Sequence, residues 1–120
     1  MKLEKLVDIL FIGTIALTIY VYPVDIKKEE RAKEIIERYY DWKFPIQPYE
    51  VQVKGLFGLE GMYLPPNLLL IREGNDKIDI RIHEELHMRH IYTDWRNMLN
   101  RNYEETRTDL EEYKIMEELK

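Results

Sequence analysis

The chain has 120 residues and a mass of 14.7 kDa, with 45% hydrophobic and 34% charged residues, which suits one domain with its own core and excludes a disordered or collagen-like chain. Lys and Arg number 18 against 23 Asp and Glu, for a formal charge of −5, so no basic surplus exists for nucleic acid and none is an expected partner. Cysteine is absent, which excludes disulfide scaffolds, thiolate metal sites and cysteine nucleophiles.

Residues 1–24 read as an apolar N-terminal segment and residues 25–120 as the domain proper. Leu6 to Tyr22 is apolar apart from Asp8, Gly13, Thr14 and Thr18. As a helix this run would reach ~25 Å, just short of a ~30 Å hydrocarbon core. Three readings stay open: a membrane anchor, a buried helix or strand, and a cleaved signal peptide, the last lacking a small-x-small site before Pro23. The domain is accordingly expected in the cytoplasm, either soluble or tethered by residues 6–22, because Lys27, Lys28, Arg31 and Lys33 follow the run while only Lys2 and Lys5 precede it.

Asp25 can N-cap a helix in which Ala32, Ile35, Ile36, Tyr39 and Tyr40 recur at helical spacing, and Pro45 and Pro48 end it around Trp42. Tyr49 to Lys54 alternates as a half-buried strand does. Met62–Leu64 and Asn67–Arg72 predict two further strand segments around Pro65-Pro66. Asp76 or Asp79 can start a helix running through Ile80, Ile82, Leu86 and Ile91 to about Met98. A last helix from about Asn102 carries Leu110, Tyr113, Met116 and Leu119 near one stripe. Helix, small sheet, helix, helix is an α+β order.

The chemistry concentrates at His83-Glu-Glu-Leu-His87. On a helix, residues i and i+4 share a face, so two imidazoles can grip one Zn²⁺, while Glu84 lies ~100° round, near the metal but free to hold a water. A third ligand must come from nearby. His90 lies about two turns from His83, too far along one rigid helix to share a tetrahedral ion comfortably. Asp94 is another candidate. Glu105 is favoured because Asp109, four residues on, could support a ligand histidine; Glu104 is the alternative register, whose i+4 partner Thr108 supplies no carboxylate.

The pair His83-Glu-Glu-Leu-His87 and Glu105-Thr-Arg-Thr-Asp109 resembles the gluzincin pattern, His-Glu-x-x-His followed by Glu-x-x-x-Asp. In size and layout the chain is most similar to the minigluzincins, and through them to the catalytic domains of HtpX-type and CAAX-processing membrane metalloproteases. The resemblance implies a minimal zincin-like α+β domain, with a small antiparallel-containing sheet, an active-site helix and a C-terminal ligand-bearing helix. It implies zinc held by His83, His87 and Glu105, with Glu84 as general base and Asp109 orienting a ligand histidine. Met62 to Arg72 would border the cleft and pair with an extended peptide or protein substrate. The implied activity is a zinc metallopeptidase, an endopeptidase, held latent by Tyr113 to Lys120 within one molecule or across a homodimer. Tyr113, Tyr103 or Arg107 could serve as oxyanion donor. The alternative is a zinc-binding structural or regulatory domain without proteolysis.

Overall fold

The structure is a computed structural model that describes residues 2–21, 23–56 and 58–120, with side chains described outside residues 14–25. It is an α+β fold of four α-helices and one mixed four-stranded sheet. Helix α1 (Leu3–Val21) leads into strand β1 (Pro23–Lys28). Helix α2 (Arg31–Tyr40) precedes β2 (Tyr49–Val53), β3 (Gly61–Leu64) and β4 (Leu68–Arg72). Helix α3 (Ile78–Thr93), a short 3₁₀ turn (Trp95–Leu99) and helix α4 (Arg101–Glu118) complete the chain.

Most of the apolar run Leu6–Tyr22 lies in α1, although Tyr22 and the side chains at 14–21 lie outside the described residues. Leu6, Val7, Ile9 and Ile12 are exposed along it. Among the described residues no helix is long and apolar enough to cross a membrane.

Asp25, expected to cap a helix, instead has its backbone in β1, while its side chain lies outside the described residues. Helix α2 starts six residues later, at Arg31, under a different cap. The buried Glu29 carboxylate accepts the Ala32 N–H at 3.0 Å and the Lys33 N–H at 3.2 Å. The helix ends where Asp41 turns left-handed, at φ 49°.

The sheet order is β1-β2-β4-β3, with β2 and β4 parallel and the outer pairs antiparallel. Strand β3 is therefore an edge, hydrogen-bonded to β4 on one side. Alternation sends Val51, Val53 and Leu70 to one face, where Leu56, Met62 and Leu64 pack with them. The helices close the main core: Ala32 and Ile36 of α2, Ile82, Leu86 and Met88 of α3, and Ile115 of α4.

Glu50 of β2 points toward α3 and makes a bidentate ion pair with Arg81, Nε to Oε2 being 2.8 Å, with both side chains almost fully buried. Arg81 also donates to the carbonyls of Lys77 and Asn75. This pair fixes the first turn of α3 to the sheet. Gly61, at the start of β3, lets the strand lie against the same helix, since a Cβ there would come within 2.8 Å of Ile80 Cγ2 and 3.3 Å of Glu84 Cγ.

Candidate metal centre

Helix α3 carries His83, Glu84 and His87, and α4 lies across it, bringing two rows of polar side chains to the seam. Glu105, Asp109 and Glu112 make one row and Glu104, Thr108 and Glu111 the other, each following the i, i+4, i+7 rule of one helical face.

Glu105 bridges the two histidines. One carboxylate oxygen is 3.4 Å from His83 Nε2 and the other 3.1 Å from His87 Nε2. The opposite ring nitrogens are occupied by other carboxylates. His83 Nδ1 faces Asp109 at 3.4 Å and Glu112 at 3.2 Å. His87 Nδ1 meets Glu104 at 3.0 Å. Carboxylates thus stand at both nitrogens of each ring, and it is the tautomer with the proton on Nδ1 that turns an Nε2 lone pair toward Glu105. Two Nε2 lone pairs facing the two oxygens of one carboxylate need a cation or protons among them. Three overlapping groups here could hold a metal ion: His83, Glu84 and His87; His87, His90 and Glu104; and His83, Glu105 and Asp109.

The electrostatics of the protein carry the same signature. Burial works against charge on His83, but the Glu112 carboxylate and the charges of Glu84 and Glu105 outweigh it and hold its pKa at about 9. Burial lowers His87, and the neighbouring His83 charge adds to this, while Glu104 and Glu105 oppose it. Glu84 is pushed up to about 7 by burial first, with His83 opposing and Glu105 adding. Glu85 behaves differently from its neighbour. It is fully buried, both oxygens lack a hydrogen-bond partner, and burial together with the nearby Glu29 and Glu50 carboxylates holds its pKa well above the usual range.

The site opens into a cavity of about 610 Å³. Its walls include Gly61, Met62 and Tyr63 of the edge strand, His83, Glu84, His87, Glu104 and Glu105, and the apolar side chains of Leu59, Ile91 and Met98. Arg101 is the cationic side chain in the lining among the described residues, and nothing in the spacing of the sequence marked it.

Of the residues singled out from sequence, His83, Glu84, His87, Glu105 and Asp109 come together. Glu104 sits on Nδ1 of His87, with its own Oε2 buried and unpartnered. Asp94 turns away to pair with Arg96 at 2.9 Å. Tyr103 and Tyr113 are exposed, and neither they nor Arg107 line the cavity; Arg107 pairs with Glu111 instead. No residue from 113 to 120 lines the cavity, and Ile115 of that segment is in the core. Glu112 was missed, though its place seven residues after Glu105 on one face is a legible signal. No family model, curated protein or solved structure matches the chain.

Proposed function

We propose that this protein is a zinc-dependent metallopeptidase of the gluzincin kind, with His83, His87 and Glu105 holding the metal and Glu84 as general base. The observation that carries the proposal is the convergence of two Nε2 atoms on one carboxylate, at 3.4 and 3.1 Å, with Glu84 Oε1 4.0 Å from His83 Nε2 on the cavity side. His83, His87 and Glu105 would hold the ion, each imidazole nitrogen facing one oxygen of the same carboxylate. The set has three protein donors beside an open cavity, the pattern of a catalytic rather than a closed site.

Bound there, zinc would supply Lewis acidity to a water molecule and to a substrate carbonyl. Glu84 takes the proton of the attacking water and returns it to the amine that leaves. The carboxylates on Nδ1 of His83 and His87 hold both rings in orientation. The outer side of β3, along Gly61 to Tyr63, offers main-chain partners to an extended peptide, and the Leu59, Met62, Ile91 and Met98 wall takes an apolar side chain. Latency through Tyr113 to Lys120 would need a second copy, because within one molecule this stretch continues α4 and seats Ile115 in the core.

A second reading, a zinc-binding domain without proteolysis, is favoured by one feature: the donors come from both α3 and α4, so the metal would also clamp two helices together. Glu84→Gln separates the two. Under the proposal it keeps about one zinc per chain and lowers peptide hydrolysis by ~10²-fold or more. Wild-type protein that binds zinc yet cleaves no peptide from a diverse library would leave the second reading standing.

A further inference from the structure

Three histidines cluster in the sequence, yet only His83 and His87 turn a nitrogen to the cavity. His90 is fully buried. Its Nδ1 is hydrogen-bonded to Glu104 Oε1 and its Nε2 to Glu111 Oε2. Each ring nitrogen thus has a carboxylate oxygen placed to accept its N–H. Glu104 Oε1 faces two ring nitrogens, one of His90 and one of His87 at 3.0 Å. The Thr108 hydroxyl adds a further contact, 2.7 Å from the Glu104 carbonyl and 3.2 Å from Glu104 Oε1, with its oxygen 3.3 Å from His87 Nδ1.

Behind Glu111 the chain of partners continues. Arg107 Nε is 3.6 Å from Glu111 Oε1, and the Tyr40 hydroxyl also approaches that carboxylate. Burial alone would raise the Glu111 pKa, but the His90 N–H, with Arg107, holds it below the usual carboxylate value. Donors and acceptors therefore alternate from Arg107 through Glu111, His90 and Glu104 to the ring of His87. A buried carboxylate without such a partner would be costly and free to swing toward the cavity, which Glu104 also borders.

We propose that His90 is a positioning residue: by pinning the Glu104 carboxylate to Nδ1 of His87, it keeps that ring in the tautomer whose Nε2 lone pair faces the metal. This rests on the metal-site reading above, but its first consequence concerns the metal-free protein. A purely structural His90 would tie α3 to α4 and leave the His87 tautomer and metal affinity alone once the fold is intact.

The test combines ¹⁵N NMR of the His87 ring in metal-free protein with zinc affinity from chelator competition, for wild type, His90→Gln and Glu111→Gln. Expected in the wild type is a His87 ring protonated on Nδ1. His90→Gln should populate the Nε2–H form and weaken zinc by roughly 10–100-fold at unchanged helix content. Glu111→Gln, which reaches His87 only through His90, should move both readouts in the same direction by less, and it carries the test if His90→Gln does not fold. Protonation of wild-type His87 on Nε2 overturns the proposal, as do folded variants with unchanged His87 signals and zinc affinity. Loss of the fixed tautomer in the variants upholds the positioning role even if zinc fails to bind, a result that would sink the metal reading alone.

Discussion

One position separates Glu104 from Glu105, and the two carboxylates address opposite nitrogens of the same imidazole. Glu105 faces Nε2 of His87 and of His83, while Glu104 faces Nδ1 of His87. Removing them should therefore have different consequences. Glu105→Ala is expected to lose zinc on dialysis, whereas Glu104→Ala should retain the site with affinity roughly 10–100-fold weaker, both read by elemental analysis. The sequence narrowed the choice to these two but could not fix the rotation of α4 about its axis, which is what decides between them. Spacing along α3 separates His90 from His83, and its partners Glu104 and Glu111 lie on α4, whose placement no spacing within α3 reveals. The pH dependence of metal binding follows from His83. Its pKa is raised to about 9, so the metal-free protein carries a proton there that the metal must displace. Affinity should thus rise with pH up to about 9 and level off above it, with protons released on binding below that point. Calorimetry in buffers of different ionisation enthalpy would report the release, and a flat profile between pH 7 and 9 would contradict it.

At the scale of elements, the position of α3 depends on two contacts with the sheet. The Arg81–Glu50 pair is nearly free of solvent, so breaking one side leaves an uncompensated buried charge, a loss of roughly 3–5 kcal/mol. Gly61 sets the other contact, the approach of β3 to Glu84. In Gly61→Ala the new methyl would overlap Ile80 and press on the Glu84 side chain. Peptide hydrolysis is expected to fall about tenfold or more while zinc content stays near wild type, because neither histidine is touched. Helix periodicity made α2, α3 and α4 legible, and alternation found β2. What escaped was β1, because its pairing with Tyr49–Val53 is non-local and the local Asp25 signal pointed to a cap. The expected run of α3 to Met98 fails for a local reason. Asp94 adopts an extended backbone and its side chain accepts the Arg96 N–H, so the chain restarts as a 3₁₀ turn.

Across the whole molecule, the seam between α3 and α4 has two parts. At its far end Ile115 packs against Ile36, Ile82, Leu86 and Met88. Along the first turns of α4 the contacts are almost all between carboxylates and imidazoles: Glu104, Glu105, Asp109, Glu111 and Glu112 against His83, His87 and His90. Acids outnumber histidines there, so the near end is short of positive charge until a cation arrives. If a metal fills the site as proposed, a joint of this kind makes the durability of the chain a function of its supply. Stripped of zinc, the front of α4 and the Trp95–Leu99 turn should open often enough to admit a protease at the exposed Arg96 and Arg101. Trypsin in the presence of a chelator is expected to nick there first, and zinc at ~1,000 times its Kd, contributing about 4 kcal/mol to the closed form, should slow that cut markedly. Equal cleavage rates with and without zinc would mean that the apolar end alone holds the helix shut. Slower cleavage with zinc would mean, on the proposed function, that the histidine cluster also governs survival, so that chains short of their metal are cleared rather than accumulated idle.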